Sequence, residues 1–141
     1  MRLKDKVAFL TAAAGAGIGQ AVARVFAREG ARIVVTDAHA DRANTVAKAI
    51  NMEYGTDTLG LGCDVTSRND VELAVKETIT KFGRIDILFN NAGTNRPSQI
   101  ANMRDEDWEL VINVSLRGVF YCCRAVLPVM MNQRYGRIVN T

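Results

Sequence analysis

Apolar residues gather in short continuous runs along this chain instead of alternating with polar ones. Four runs stand out, Val7 to Leu10, Ile33 to Val35, Ile87 to Phe89 and Ile138 to Asn140, with a weaker fifth from Thr58 to Cys63. Continuous runs of β-formers mark strands covered on both faces. Between the runs the apolar spacing changes to the helical period. Ile18, Val22, Val25 and Phe26 share one helical face, as do Val71, Val75, Ile79 and Phe82. Asp41 to Met52 reads as a helix with Ala43, Val46, Ala47 and Ile50 inward, and a longer fourth helix carries Trp108, Val111, Ile112, Ser115, Leu116, Val119 and Phe120 on one face. Ser67 followed by Asp70, and Asp105 before Glu106, mark two helix starts.

Strand and helix thus alternate four times before a fifth strand. That order predicts a Rossmann-type, doubly wound α/β fold: a parallel sheet of five strands in the order 3-2-1-4-5, with four helices and right-handed crossovers. The units are too few for an eight-stranded barrel. Neither Pro97, in a loop, nor Pro128, near the end of the fourth helix where it is expected to kink the axis, breaks the pattern. No linker or repeat divides the chain, so residues 1–141 read as one domain.

Composition narrows the partners. With 48% hydrophobic and 23% charged residues in 141, the chain has an ordinary globular balance. Its net charge is +3, with 18 basic residues scattered among 15 acidic ones, which makes no case for nucleic acid or a membrane as partner. No apolar stretch approaches the roughly 20 residues of a membrane span. Cys63, Cys122 and Cys123 are odd in number and read as reduced thiols of a cytoplasmic protein. Arg2, Lys4 and Lys6 before an apolar segment have the outline of a signal peptide, but Asp5 interrupts the basic stretch and glycines break the run.

The chemistry concentrates where strands end. After the first strand, Thr11 to Gly19 reads TAAAGAGIG and a helix follows at once. Gly15, Gly17 and Gly19, with Ile18 between them, let the backbone turn closely around a pyrophosphate and present helix amides to it. Alone, such a cluster is also an ordinary strand-to-helix turn. The second strand ends at Asp37, 18 positions past Gly19, where an acid can accept hydrogen bonds from an adenosine ribose and would repel a 2′-phosphate. No basic residue sits in the glycine loop or immediately after Asp37, so NAD(H) is favoured over NADP(H). The third strand leads to Asp64 and Val65, placed to meet the adenine ring or equally to cap the next helix. His39 reads as a loop residue at the edge of this site, and no cluster of histidines, cysteines or carboxylates suggests a metal.

With Asn90-Asn91-Ala92-Gly93 ending the fourth strand, and VINVSLRGVF and GRIVNT following, the chain resembles the classical short-chain dehydrogenase/reductase family over essentially its whole length. The resemblance implies that Gly15, Gly17, Ile18 and Gly19 cradle the pyrophosphate, that Asp37 binds the adenosine ribose and that Asp64 and Val65 bind the adenine. It implies that Asn91, Ala92 and Gly93 line the cofactor cleft, and that Asn113 is the catalytic asparagine, distorting its helix and holding a water in a proton relay. A secondary alcohol or ketone would be the substrate, and a homodimer or homotetramer, built partly on the fourth helix, the assembly. One departure concerns the loop, where alanines stand in place of the family's first glycine. Alanine disfavours a positive φ, so Gly15 is expected to take the tight turn.

The family's tyrosine with a lysine four residues later has no counterpart. Tyr54, Tyr121 and Tyr135 are followed at that spacing by Thr58, Ala125 and Val139. By resemblance the serine, tyrosine and lysine lie past Thr141, the family's seven-stranded fold is cut at its fifth strand, and that strand becomes an apolar edge. The 141 residues are then the cofactor half of an oxidoreductase, inactive by themselves. The alternative is a non-catalytic dinucleotide-binding module acting as a partner or regulator. A nucleotide-sugar epimerase of the extended relatives fits the short spacings less well.

Overall fold

The computed structural model describes residues 1–141. In β1 (Val7–Leu10), Val7 and Phe9 point to one side of the sheet and Ala8 and Leu10 to the other, and all four are completely buried. β2 (Arg32–Asp37), buried from Ile33 onward, and β4 (Ile87–Asn90), buried throughout, flank β1, while β3 (Thr58–Gly62) and β5 (Arg137–Asn140) form the edges. All pairings are parallel, as the alternation of patterns predicts, and the order is β3-β2-β1-β4-β5, the one expected of a Rossmann-type sheet.

Helices cover both faces. α1 (Ile18–Arg28) and α2 (Ala40–Tyr54) pack on the side of Ala8, Leu10, Ile33 and Val35. α3 (Arg68–Phe82) and α4 (Asp105–Gln133) cover Phe9, Val34, Leu61 and Leu88 on the other. Two equal apolar clusters of 14 buried residues each result, one per face, which is why the central runs are apolar at every position. The weak third run has a packing reason. A Cβ at Gly60 would lie 2.5 Å from Asn44 Cα, so α2 can approach β3 this closely only over glycine.

Several expectations need correction. Periodicity identified shared faces, but not every member of them is covered. In α1 Gly19, Ala23 and Ala27 are buried, Val22 and Phe26 of the shared face pack against the same core, and Ile18 is 66% exposed and Val25 40%. In α4 the buried residues are Gly118, Cys122, Val126 and Met130, whereas Trp108, Leu116 and Phe120 are each more than half exposed. At two of these positions the small residue is required by close approach: a Cβ on Gly19 would lie 2.6 Å from Asn91 Nδ2 and one on Gly118 2.8 Å from Val65 Cγ2. Asp105 is the first residue of its helix, after Arg104 at the cap position, while Ser67 does cap α3 by accepting from the Asp70 amide at 3.3 Å. Finally, α4 is one 29-residue element, long and apolar enough by length and composition to cross a membrane, contrary to the reading of the runs. Its Arg117 and Arg124, and the docking of Cys122, Val126 and Met130 into the core, tie it to this fold.

At the opening of β4 a buried charge joins three strands. Asp86 is fully buried; its Oδ2 accepts from the Val7 amide at 2.9 Å and from Arg84 Nε at 2.8 Å, and its Oδ1 from Arg84 Nη2 at 2.7 Å. The Asp86 amide and carbonyl bond β1 and the Arg137 amide that opens β5. The partners are unequal, since the Arg84 side chain is 40% exposed and that of Asp86 is not exposed at all. Arg84→Ala therefore strands a carboxylate in the interior and is expected to cost about 3 to 5 kcal/mol. Asp86→Ala leaves a hydrated guanidinium and one unpaired amide, at about 1 to 3 kcal/mol. Urea midpoints of the two variants check that order.

Candidate functional site

The carboxyl ends of β1, β2 and β4 converge on one edge of the sheet. Thr11, the residue after β1, is buried, and its Oγ1 accepts from the Asn91 amide at 2.9 Å and the Ala92 amide at 3.0 Å. Asn91 returns the contact, its Nδ2 donating to the carbonyls of Thr11 at 3.2 Å and Ala12 at 3.1 Å. A Cβ on Gly19 would lie 2.6 Å from that Nδ2 and 3.0 Å from the Ala12 carbonyl oxygen, so the first turn of α1 can close on the loop only at glycine.

The tight turn falls on Ala12, with φ 48°, and not on Gly15 as the propensity of alanine suggests. A left-handed alanine costs roughly 1 to 2 kcal/mol. The Asn91 amide, fastened to its carbonyl, holds it there. Gly15 and Gly17 do something else: a Cβ on either would meet no atom within 4 Å. Their open side is the concavity in front of α1, whose N-cap Gly17 offers no side-chain cap and whose first turn carries no acid. Free amides, a positive helix end and an uncluttered glycine backbone fit an anionic phosphate group.

Beside this loop lies a cleft of about 170 Å³ walled by Ala12, Ala38, Cys63, Asp64, Val65, Ala92, Gly93 and Val114. It is mostly apolar and open on one side, a shape suited to a flat ring. Of the residues singled out by sequence, Asp64, Val65, Ala92 and Gly93 line it directly. Asp64 Oδ1 is taken by the Thr66 amide at 2.9 Å and hydroxyl at 2.7 Å, a local turn, while capping of α3 falls to Ser67. Ile18 stands exposed at the start of α1 and Asn91 is spent on the loop.

Asp37 ends β2 with 3% of its surface exposed. Its Oδ1 accepts from the His39 amide at 3.0 Å and from Arg42 Nη2 at 2.6 Å, while Oδ2 has no protein donor. Arg42 escaped the sequence reading because only the βα turn, folding α2 back over the strand end, brings a residue five places on to the carboxylate.

Asn113 opens a π turn, Asn113–Arg117, within α4, and its Oδ1 accepts from Arg117 Nη1. Such turns are uncommon and cluster at functional sites. This one presents Val114 to the cleft and sets Ser115 Oγ 3.4 Å from the amide of Thr94, just after Gly93.

The match to the short-chain dehydrogenase family model runs from residue 6 to residue 141. The chain belongs to that family. It is 41% identical over 141 residues to a 3-oxoacyl-(acyl-carrier-protein) reductase of Thermotoga maritima, a match covering 99% of this chain and 56% of the relative. Secoisolariciresinol dehydrogenase of Forsythia intermedia is 37% identical, over 99% of this chain and 50% of that one. A crystal structure of NAD+-bound xylitol dehydrogenase superposes with a TM-score of 0.94 at 33% identity, covering 99% of this chain and 54% of the other. This short-chain dehydrogenase chain thus spans about half the length of the relatives it matches.

The thiols near the cleft are electrically quiet. Burial, reinforced by the negative charges of Asp70 and Asp64, pushes Cys63 up to about 12, and burial pushes Cys122 equally far. Below pH 9 both are protonated folded or unfolded; between pH 9 and about 12 the unfolded chain ionises them and the folded chain does not, so stability falls through that window. At pH 8 a thiol reagent is expected to label half-buried Cys123 well ahead of the other two, with all three reacting after denaturation, as mass spectrometry of the labelled protein checks.

Proposed function

We propose that the protein is an NAD(H)-dependent oxidoreductase interconverting a secondary alcohol and a ketone, and that residues 1–141 carry its cofactor half. The observation that carries this reading is Asp37: a nearly buried carboxylate at the end of β2, with one oxygen fixed by the protein and the other without a partner. Such an oxygen suits a diol that donates hydrogen bonds, as the adenosine ribose does. Gly15, Gly17, Ile18 and Gly19 would hold the pyrophosphate against the amides of α1. Asp64 and Val65 would bound the adenine, while Asn91, Ala92 and Gly93 carry the cleft onward from the loop.

When bound, the nicotinamide supplies or accepts the hydride. The chain's own residues would hold the dinucleotide by its adenosine and pyrophosphate, in the mostly apolar cleft and the glycine loop beside it. Asn113, at the opening of the π turn, would be the catalytic asparagine that the family resemblance implies, holding a water for proton transfer to and from the substrate oxygen once its Oδ1 is released from Arg117. The group that exchanges the hydroxyl proton itself is not among these residues, since no tyrosine is followed four places on by a lysine. That observation also sustains the second reading, a non-catalytic dinucleotide-binding module. In the first reading the intact enzyme is cytoplasmic and a homodimer or homotetramer acting on a small molecule, without nucleic acid or membrane partners.

Two outcomes test this. Asp37→Ala should weaken NAD+ binding about tenfold or more while leaving NADP+ unchanged or tighter, because it removes charge-assisted bonds to the ribose and a like charge at the 2′ position. An unchanged NAD+ preference in fluorescence titrations would show the ribose assignment to be wrong. A protein ending at Thr141 should show no alcohol-dependent reduction of NAD+; measurable turnover would refute the division of chemistry proposed here.

A further inference from the structure

Ser115 is the third residue of the π turn, and its hydroxyl is a point at which α4 touches the loop leaving β4. The Thr94 amide donates to Ser115 Oγ at 3.4 Å, and the hydroxyl donates in turn to the Thr94 carbonyl at 3.5 Å. A Cβ on Gly93 would lie 3.9 Å from the same oxygen, so the hydroxyl borders a wall of the cleft. The π turn makes this placement: it sets Val114 against the cleft and the next residue, Ser115, against the loop. Asn113 takes no part, since its Oδ1 accepts from Arg117 Nη1. Another polar link between loop and helix, Arg96 Nε at 3.8 Å from Asp107 Oδ1, shares a carboxylate already held twice by Arg104 and is open to solvent, so it contributes little.

Across the sheet, Asp64 follows β3, Asp37 ends β2, the glycine loop follows β1 and Thr94 follows β4. A dinucleotide with its adenosine at the two aspartates and its pyrophosphate on the glycine loop extends its other half toward the end of β4. We propose that Ser115 is a positioning residue, tying the Thr94 backbone to the π turn and so fixing the floor on which the nicotinamide half rests. This rests on the dinucleotide reading of the cleft, and adds to it a residue that acts through the loop backbone. Both contacts lie near the outer limit of hydrogen bonding, and a single oxygen serves as acceptor for the amide and donor to the carbonyl. Ser115→Asn supplies a separate acceptor and donor for the same two groups, and so tightens the tie.

The test titrates the intact protein with NADH and with ADP-ribose, which lacks the nicotinamide, and follows amide exchange of Thr94 by NMR. Ser115→Ala is expected to quicken Thr94 exchange and to weaken NADH binding, each about fivefold, while leaving ADP-ribose within about twofold. Ser115→Thr, which keeps the hydroxyl, should match the unsubstituted protein, and Ser115→Asn should slow Thr94 exchange and bind NADH at least as tightly. Because Ser115 is exposed, the melting temperature is expected to stay unchanged in each variant, so positioning can be read apart from folding. If both ligands bind but Ser115→Ala leaves NADH affinity unchanged, or weakens the two ligands alike, Ser115 does not position the nicotinamide half. If the unsubstituted protein binds neither ligand, the dinucleotide reading falls and this inference with it.

Discussion

One buried hydroxyl holds together the two strand ends from which the candidate site grows. Thr11 Oγ1 receives the amides of Asn91 and Ala92, and Asn91 in turn grips the carbonyls of Thr11 and Ala12. At about 1 kcal/mol each, these bonds offset the cost of a left-handed Ala12. With Ala12 so turned, the chain leaves β1 and returns into α1 over Gly19, and the glycines beyond it open outward. The phosphate-facing concavity and the cleft beside it are therefore consequences of one junction. The residues that look like ligand contacts in the sequence divide accordingly: Asn91 and Gly19 shape the loop, and Gly15 and Gly17 leave its outer side free.

Much of the fold was legible because the evidence for it is redundant. Each central strand announces burial at every position, and parallel pairing with right-handed crossovers leaves few orders for five strands. Orientation of the helices was not legible to the same degree. A helical period tells which residues share a face but not which of them end up covered, and here small residues that carry little hydrophobic signal, Gly19, Ala23 and Ala27 in α1 and Gly118 and Cys122 in α4, are among the buried ones. Intrinsic preference misplaced the tight turn for a related reason: propensity assigns it to glycine, while tertiary hydrogen bonds impose it on alanine. Arg42 was hidden because a pair between a strand end and a helix start depends on the path of the turn between them.

The two faces of α4 bear on the site in opposite ways. Toward the protein, a Cβ at Gly118 would come within 2.8 Å of Val65 Cγ2, so the helix packs directly on a wall of the cleft, and Val114 of the π turn forms another part of that wall. Toward solvent, Trp108, Leu116 and Phe120 form an apolar stripe on the same rigid element. The π turn, Asn113–Arg117, lies between these two faces: the same five residues carry Leu116 on the outer one and set Val114 against the cleft on the inner one, so the position of that wall depends on how this short segment is wound.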